Sequence, residues 1–319
     1  MKNNVLIVGS GAMAKEYTKV LQAMNTPLTV VGRSVSGAQA FEKETGIPVL
    51  AGGLEANITN LDFSSFSHCI VATNVSQLFS NVCSLLKAGA KKILVEKPFV
   101  LDNEQLKTAC RLAKENTADV FIAYNRRFFS SVIKAREIIA EDGGLEMVKF
   151  DFTERSHIIE GLDKDPYEKA RWLLANSTHV IDLAFYFTGT PEKLTAYQSG
   201  SLDWHPSAMV FTGAGISKAG ILFSYGSDWG SAGRWGLELF TPLRKLRLCP
   251  MEKLLETRKG TIDEYEIELD DDLEKKFKPG LHQQTDNFLL GVTEGLCSLG
   301  ELQGRFKYYC EIAGYQKNA

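Results

Sequence analysis

Two stretches of this chain carry residues whose types and spacing suit chemistry. The first is Gly9-Ser10-Gly11-Ala12-Met13-Ala14, a G-x-G-x-x-A run that directly follows the buried strand pattern Val5 to Val8. Gly9 suits a tight turn, Gly11 lets backbone approach a pyrophosphate, and Ala14 allows close packing of helix on strand. The helix opening there offers unpaired N–H groups to an anion. The alternative is a glycine turn that holds no ligand. The second stretch is Glu96-Lys97-Pro98, at the carboxyl end of the apolar run Lys92 to Val95. Ligands of an open parallel sheet bind just outside such ends. Lys97 is therefore either a working acid or a lysine with a buried stem and a solvated head.

The elements around these stretches must position them. Short apolar strands at Val5 to Val8, Leu28 to Val31, Pro48 to Leu50, Cys69 to Asn74, Lys92 to Val95 and Val120 to Tyr124 alternate with helical patterns. The helix from Val75 has an apolar stripe at Val75, Leu78, Phe79, Val82, Leu85 and Leu86, and Asp102 caps the next one with Gln105 in the box position. This alternation predicts a doubly wound parallel sheet, a Rossmann domain over residues 1–124. The second strand ends in Gly32-Arg33-Ser34, where an NAD site would place Asp or Glu against the ribose 2′-hydroxyl. Arg33 and Ser34 instead suit a 2′-phosphate, so NADP(H) is expected and NAD is the second choice, with Arg33 stacked on its adenine. The expected cofactor residues are Gly9, Ser10, Gly11, Ala12, Met13, Arg33, Ser34, Thr73, Asn74, Glu96 and Lys97.

After Tyr124 the pattern changes. A helix over Ser131 to Asp142 stops at Gly143-Gly144, and strands follow at Met147 to Phe152, Leu194 to Gln198, Ala208 to Thr212, Ala219 to Tyr225, Leu237 to Phe240 and Lys245 to Leu248. Tyr265, Ile267 and Leu269 alternate with Glu264, Glu266 and Glu268 as a further strand. Consecutive strands without helices between them predict an α+β domain over 125–319 with a large, mostly antiparallel open sheet. A helix from about Asn176 to Phe187 carries His179, Asp182 and Tyr186 at helical spacing. Arg126 and Arg127 lie just past the first domain's last strand; one is expected to touch substrate or phosphate, the other to make an interdomain ion pair. Trp204, Trp229 and Trp235, with His205, Asp228 and Arg234, either line a pocket or pack as core.

Bulk properties exclude several classes. A net charge of -3 over 319 residues argues against a nucleic-acid or anionic-membrane surface as the main partner. The longest apolar runs are strand-sized, so no membrane span is expected. The first strand begins almost at Met1, which leaves no space for a signal peptide, and a cytoplasmic location is expected. Cys69, Cys83, Cys110, Cys249, Cys297 and Cys310 contain no C-x-x-C pair and read as reduced core thiols, with neither disulfide nor metal expected.

Taken together and in this order, Gly9-Ser10-Gly11, Glu96-Lys97-Pro98, Tyr124-Asn125-Arg126-Arg127-Phe128 and His179-Val180-Ile181-Asp182 resemble the glucose–fructose oxidoreductase/inositol dehydrogenase (Gfo/Idh/MocA-like) family. The resemblance covers essentially the whole chain and is strongest over residues 1–190. It implies that Lys97 sits beside the nicotinamide and the reacting hydroxyl, that the Lys97–Pro98 bond is cis, and that His179 is the active-site histidine. It also implies homo-oligomers formed through the C-terminal sheet. A strict member carries an aspartate four residues before that histidine, after a run of glycines; here Ala175 stands there, with Asn176 next to it, and the glycines are missing. The expected substrate residues are Lys97, Arg126, Trp172, Asn176 and His179.

The expectation is an NAD(P)-dependent oxidoreductase that moves a hydride between nicotinamide and a secondary alcohol or ketone of a sugar, sugar nucleotide or polyol. His179 takes or returns the hydroxyl proton, its ordinary pKa near neutrality suiting the task, and Lys97 stabilises the alkoxide; the roles are exchangeable. Two further readings are a dinucleotide-binding sensor or regulator without catalysis, and a glycoside hydrolase that oxidises its sugar transiently.

Overall fold

The computed structural model describes residues 3–315, so residues 1–2 and 316–319, the outer ends of the two expected domains, lie outside the described residues. The elements run β1 (Val5–Val8), α1 (Ala12–Ala23), β2 (Leu28–Val31), α2 (Val35–Thr45), β3 (Val49–Leu50), α3 (Gly53–Asn57), β4 (His68–Val71), α4 (Val75–Lys87), β5 (Lys92–Glu96), α5 (Asn103–Glu115) and β6 (Asp119–Ala123). Next come α6 (Ser130–Glu141), β7 (Met147–Asp151), α7 (Ser156–Glu160), α8 (Pro166–Ala170), a π-helical turn at Leu173–Ser177 and α9 (Thr178–Thr188). The strands β8 (Pro191–Ser199), β9 (Val210–Ser217), β10 (Leu222–Asp228), β11 (Gly236–Phe240), β12 (Arg244–Leu248), β13 (Leu255–Arg258) and β14 (Tyr265–Glu266) follow. The chain then forms α10 (Asp272–Lys276), α11 (Leu281–Leu290), β15 (Cys297–Ser298) and α12 (Leu299–Ala313).

The first unit holds the chain up to Asn125 together with Leu273–Gln303. Its sheet has the order β15-β6-β5-β4-β1-β2-β3, and β1 to β6 are parallel throughout. The central strands are short runs of Val, Ile and Leu buried on both faces, as a sheet covered by helices requires. The expected Rossmann sheet is present. A single division after residue 124 does not describe this unit, because Leu273–Gln303 returns to it. The apolar side of α11 finds its burial here: the Phe288 ring lies 4.8 Å from His68 and 6.1 Å from Phe121. Asn125 donates to the Pro279 carbonyl at 2.9 Å, and β15 pairs antiparallel to β6. The expected cap of α5 is also present, with one shift. The Asp102 carboxylate accepts from the Gln105 N–H at 2.8 Å, but Gln105 Oε1 accepts from Leu101 rather than from Asp102.

The second unit holds Arg126–Asp272 and the segment from Gly304. Its sheet has the order β14-β13-β12-β11-β7-β10-β9-β8, antiparallel except for the β7–β10 pair. Register sets Val148, Phe150, Phe211, Phe223, Tyr225, Leu237, Leu239 and Leu246 on one face, all buried. Helix α9 covers that face, with the Phe185 ring 6.4 Å from Phe150 and 5.5 Å from Phe223.

Two expected strands end elsewhere. β9 continues past Thr212 because Gly213 and Gly215 make room for aromatic rings: a Cβ there would stand 2.4 Å from Tyr225 Oη and 2.5 Å from Phe223 Cζ. β14 pairs with β13 over two residues only, Leu255 with Glu266 and Glu256 with Tyr265, so the alternation through Leu269 does not continue as strand.

Candidate functional site

In the first unit the strand order reverses beside β1, with β2 and β3 on one side and β4, β5 and β6 on the other. A crevice opens at such a switch point, outside the carboxyl ends of the strands. Here it is a cleft of about 570 Å³, within the range of roughly 300–1,000 Å³ common for ligand sites. Residues that follow β1, β2, β3 and β4 line it: Gly9 to Met13, Arg33 and Ser34, Gly52 to Glu55, and Ala72 to Asn74. Of the expected cofactor residues, Gly9, Ser10, Gly11, Ala12, Met13, Arg33, Ser34, Thr73 and Asn74 line this cleft, while Glu96 and Lys97 do not.

The turn is built for close approach. Gly9 has φ +122°, and a Cβ on it would stand 2.3 Å from the Ala72 carbonyl oxygen. Only glycine therefore lets the turn lie this close to the end of β4. Gly11 is the opposite case: a Cβ there would meet no atom within 4 Å, so its open side faces the cleft it lines. Gly11 also caps α1 without a side-chain bond, and no acidic residue occupies the first turn. The first N–H groups of α1 therefore lack helical acceptors and present partial positive charge. These residues fit a dinucleotide pyrophosphate. Arg33 is exposed, and among the described residues its guanidinium has no hydrogen bond or ion pair. Ser34 accepts from the Gly37 N–H at 3.1 Å as the cap of α2. The turn at Gly52-Gly53, both with positive φ, was missed in the sequence; two adjacent glycines after a short strand were its only signal.

Glu96 ends β5, and its carboxylate accepts from the Tyr17 hydroxyl at 2.8 Å. Burial raises the Glu96 pKa, against the opposing pull of that hydrogen bond and of the Lys97 charge. Burial likewise raises Tyr17, with Glu96 adding to it. Lys97 follows directly and is partly exposed, and its bond to Pro98 is cis, as the resemblance implied.

The second unit has its own cavity of about 560 Å³, lined by Arg126, Glu154, Arg155, Asn176, Trp235 and Glu252 among others. Asn176 stands on the π-helical turn before α9, an irregularity often found at functional sites. Its Nδ2 donates to Glu154 Oε1 at 3.0 Å, and Ser177 Oγ donates to the same oxygen at 2.8 Å. Glu154 thus brings a carboxylate beside the turn where Ala175 stands. It went unnoticed in the sequence because nothing in a lone Glu after a strand signals a site. Arg126 lies over the Trp235 ring at 4.8 Å, and burial lowers its pKa to about 10 against the opposing pull of Glu252 and Glu154. His179 is buried on α9 with its ring centroid 6.1 Å from that of Trp235. Trp172 belongs elsewhere. It is buried edge-on to the half-buried Trp204, which stacks on Trp229, so Trp172 and Trp229 are core, while Trp235 and Arg234 line the cavity.

Arg127 makes the ion pair expected of one of the two arginines, but within the second unit. Its Nε and Nη2 donate to the two Asp182 oxygens at 2.7 and 2.6 Å, both side chains being almost fully buried. Arg305 and Tyr309 of α12 also donate to Asp182, at 3.4 and 3.3 Å.

A switch-point cleft beneath a G-x-G-x-x-A turn defines the first unit as a dinucleotide-binding domain of Rossmann type. Residues 3–124 match the family model GFO_IDH_MocA, described as an oxidoreductase family with an NAD-binding Rossmann fold, in line with the motifs of that segment. Among solved structures, an oxidoreductase from Agrobacterium radiobacter in complex with NAD+, L-tartaric acid and magnesium shares the fold with a TM-score of 0.78 at 14% identity, over 97% of this chain and 94% of that one. Levoglucosan dehydrogenase in complex with NADH gives 0.78 at 15%, over 98% and 96%. UDP-N-acetylglucosamine 3-dehydrogenase from Acidithiobacillus ferrooxidans gives 0.72 at 16%, over 97% and 96%. At such identities the likeness is one of fold. No curated protein sequence matches the chain. Among the described residues no helix is long and apolar enough to cross a membrane.

Proposed function

We propose that the chain is an NADP(H)-dependent oxidoreductase acting on a secondary alcohol or ketone of a sugar, sugar nucleotide or polyol. The observation that carries the cofactor half is the cleft at the switch point, where the N–H groups opening α1 stand beside a guanidinium, not a carboxylate, at the end of β2. Backbone N–H groups of Ala12 and Met13 would hold the pyrophosphate. Arg33 would hold the 2′-phosphate with two charge-assisted bonds, and the Ser34 hydroxyl, whose oxygen serves the cap, has its hydrogen left to donate. The bound nicotinamide supplies or accepts the hydride. Lys97 donates a hydrogen bond to the reacting oxygen and stabilises its developing charge, while His179 takes or returns the proton. Glu154 and Asn176 accept and donate to neighbouring hydroxyls, and the amide of Asn176 is oriented by its bond to Glu154. Two of the neighbours of like fold are named as dehydrogenases of a sugar derivative and a sugar nucleotide, which supports the substrate class.

The homo-oligomer expected from the resemblance is part of the proposal. The face of the second sheet opposite α9 exposes Tyr197 and Leu222, with Met147 and Phe240 in register beside Leu222. A second reading, a sensor without turnover, draws on Ala175 in place of the family carboxylate; Glu154 beside Asn176 is why the enzyme stands ahead.

The test is a fluorescence titration with NADPH and NADH, followed by turnover on a sugar and sugar-nucleotide panel with the wild type and Lys97→Ala. NADPH should bind at least tenfold tighter than NADH, and turnover should change free NADPH in proportion to product. Lys97→Ala should lose roughly 10²–10⁴-fold in turnover and keep its NADPH affinity. Unchanged turnover in Lys97→Ala sinks the role of that lysine. Binding without turnover favours the sensor, turnover without net NADPH change favours the hydrolase, and no binding of either dinucleotide overturns the reading of Gly9 to Ala14.

A further inference from the structure

Arg126 and Arg127 are adjacent arginines that the fold treats in opposite ways. Arg127 is a structural residue, its fork closed on Asp182 by two short bonds. Arg126 lines the cavity of the second unit, held over the rings of Trp235 at 4.8 Å and Phe129 at 5.8 Å. Among the described residues its guanidinium makes no ion pair and no hydrogen bond. A guanidinium carries five N–H donors in a rigid fork, and stacking on rings satisfies none of them. None of its nitrogens is among the buried unpartnered atoms, so the donors are open to the cavity that Arg126 lines, where a ligand's acceptors can replace water.

The acceptors already in the cavity are committed or distant. Glu154 receives Asn176 and Ser177. Glu252 is exposed and acts on Arg126 through its field without a hydrogen bond. Arg155 and Arg234 also line the cavity, and both are exposed. Three guanidinium groups therefore face two carboxylates around one space, which favours an anionic occupant. Arg126 remains cationic near neutral pH, since burial brings its pKa down only to about 10.

We infer that the substrate of this cavity carries an oxyanion, a carboxylate or a phosphate, which accepts a forked pair of hydrogen bonds from Arg126 while Glu154 and Asn176 read its hydroxyls. An acidic or phosphorylated sugar is then the preferred class and a neutral sugar is the poor one. That the occupant is a substrate rests on the oxidoreductase reading; the binding of an oxyanion does not.

The experiment is isothermal titration of the full chain, with NADPH present, using matched pairs: galactose against galacturonate, and glucose against glucose 6-phosphate. At least one anionic probe should bind ten or more times tighter than its neutral partner, and which one does tells carboxylate from phosphate. Arg126→Gln should remove that preference while NADPH affinity stays within twofold. Arg126→Lys, which keeps the charge without the fork, should retain only part of it, and it serves as the second variant if Arg126→Gln folds poorly. Equal binding within both pairs, no binding of either anion, or a preference that survives Arg126→Gln overturns the inference. Anion binding without any hydride transfer would leave it standing and refute the oxidoreductase reading. Turnover of neutral sugars with no anionic preference would do the reverse.

Discussion

Asp182 shows how a single residue can serve a site without touching its chemistry. Its carboxylate is closed on Arg127 and also takes donors from Arg305 and Tyr309, which anchors α9 three residues beyond His179. The aspartate of this helix is a strut. Removing one partner of a buried pair leaves the others with uncompensated charge, at a cost of about 3–5 kcal/mol. Asp182→Asn should therefore lower the stability of the second unit by an amount in that range, read from urea unfolding followed by tryptophan fluorescence. A loss below about 1 kcal/mol would mean that the pair contributes little and that packing alone holds α9.

The β1–α1 turn is the element on which the proposed nucleotide binding rests, and its two glycines stand in different surroundings. At Gly9 both the positive φ and the Ala72 carbonyl forbid a side chain. At Gly11 the backbone is ordinary, with φ −89°, and the space is open. Gly9→Ala should cost more than about 2 kcal/mol, by combining strain at a special φ with a backbone clash. Gly11→Ala should cost under about 1 kcal/mol, the difference between glycine and alanine as a cap, yet weaken NADPH binding tenfold or more. Melting temperature and dinucleotide titration on the two variants separate these effects. Equal losses of stability would show that both glycines are there for folding, and the pyrophosphate role of Gly11 would fall. The same sequence spelling, glycine in a motif, thus hides two physical demands that only neighbouring atoms distinguish.

For the molecule as a whole, each unit carries a buried histidine that resists protonation. Burial brings His68 in the first unit to about 4, with the Lys92 charge adding to it. Burial brings His205 in the second to about 4, against its backbone bond to Ala208. His205 Nδ1–H donates to the Ala208 carbonyl and Nε2 accepts from the Tyr315 hydroxyl, so a second proton on the ring would break that acceptor. Both folded values lie below the 6.5 of an unfolded histidine, so the unfolded chain takes up protons first as pH falls. Stability is full above pH 6.5 and declines from there toward pH 4. Melting temperature should drop between pH 7 and pH 4.5, and His205→Gln should flatten part of that slope; a flat wild-type profile over this window would contradict both assignments.

Local signals in the sequence determined much of this. Short runs of Val, Ile and Leu alternating with amphipathic stripes specified the parallel sheet, because burial on two faces imposes that pattern wherever it occurs. The cleft residues Gly9 to Met13, Arg33 and Ser34 were legible because they follow their strands immediately, and the chain itself fixes that distance. Nothing local marked Glu154 as the partner of Asn176, set Trp172 in the core, tied Asp182 to Arg127 or returned Leu273–Gln303 to the first unit. Those outcomes depend on residues tens to hundreds of positions apart meeting in space, and burial with hydrogen bonding between such residues is decided by tertiary packing alone.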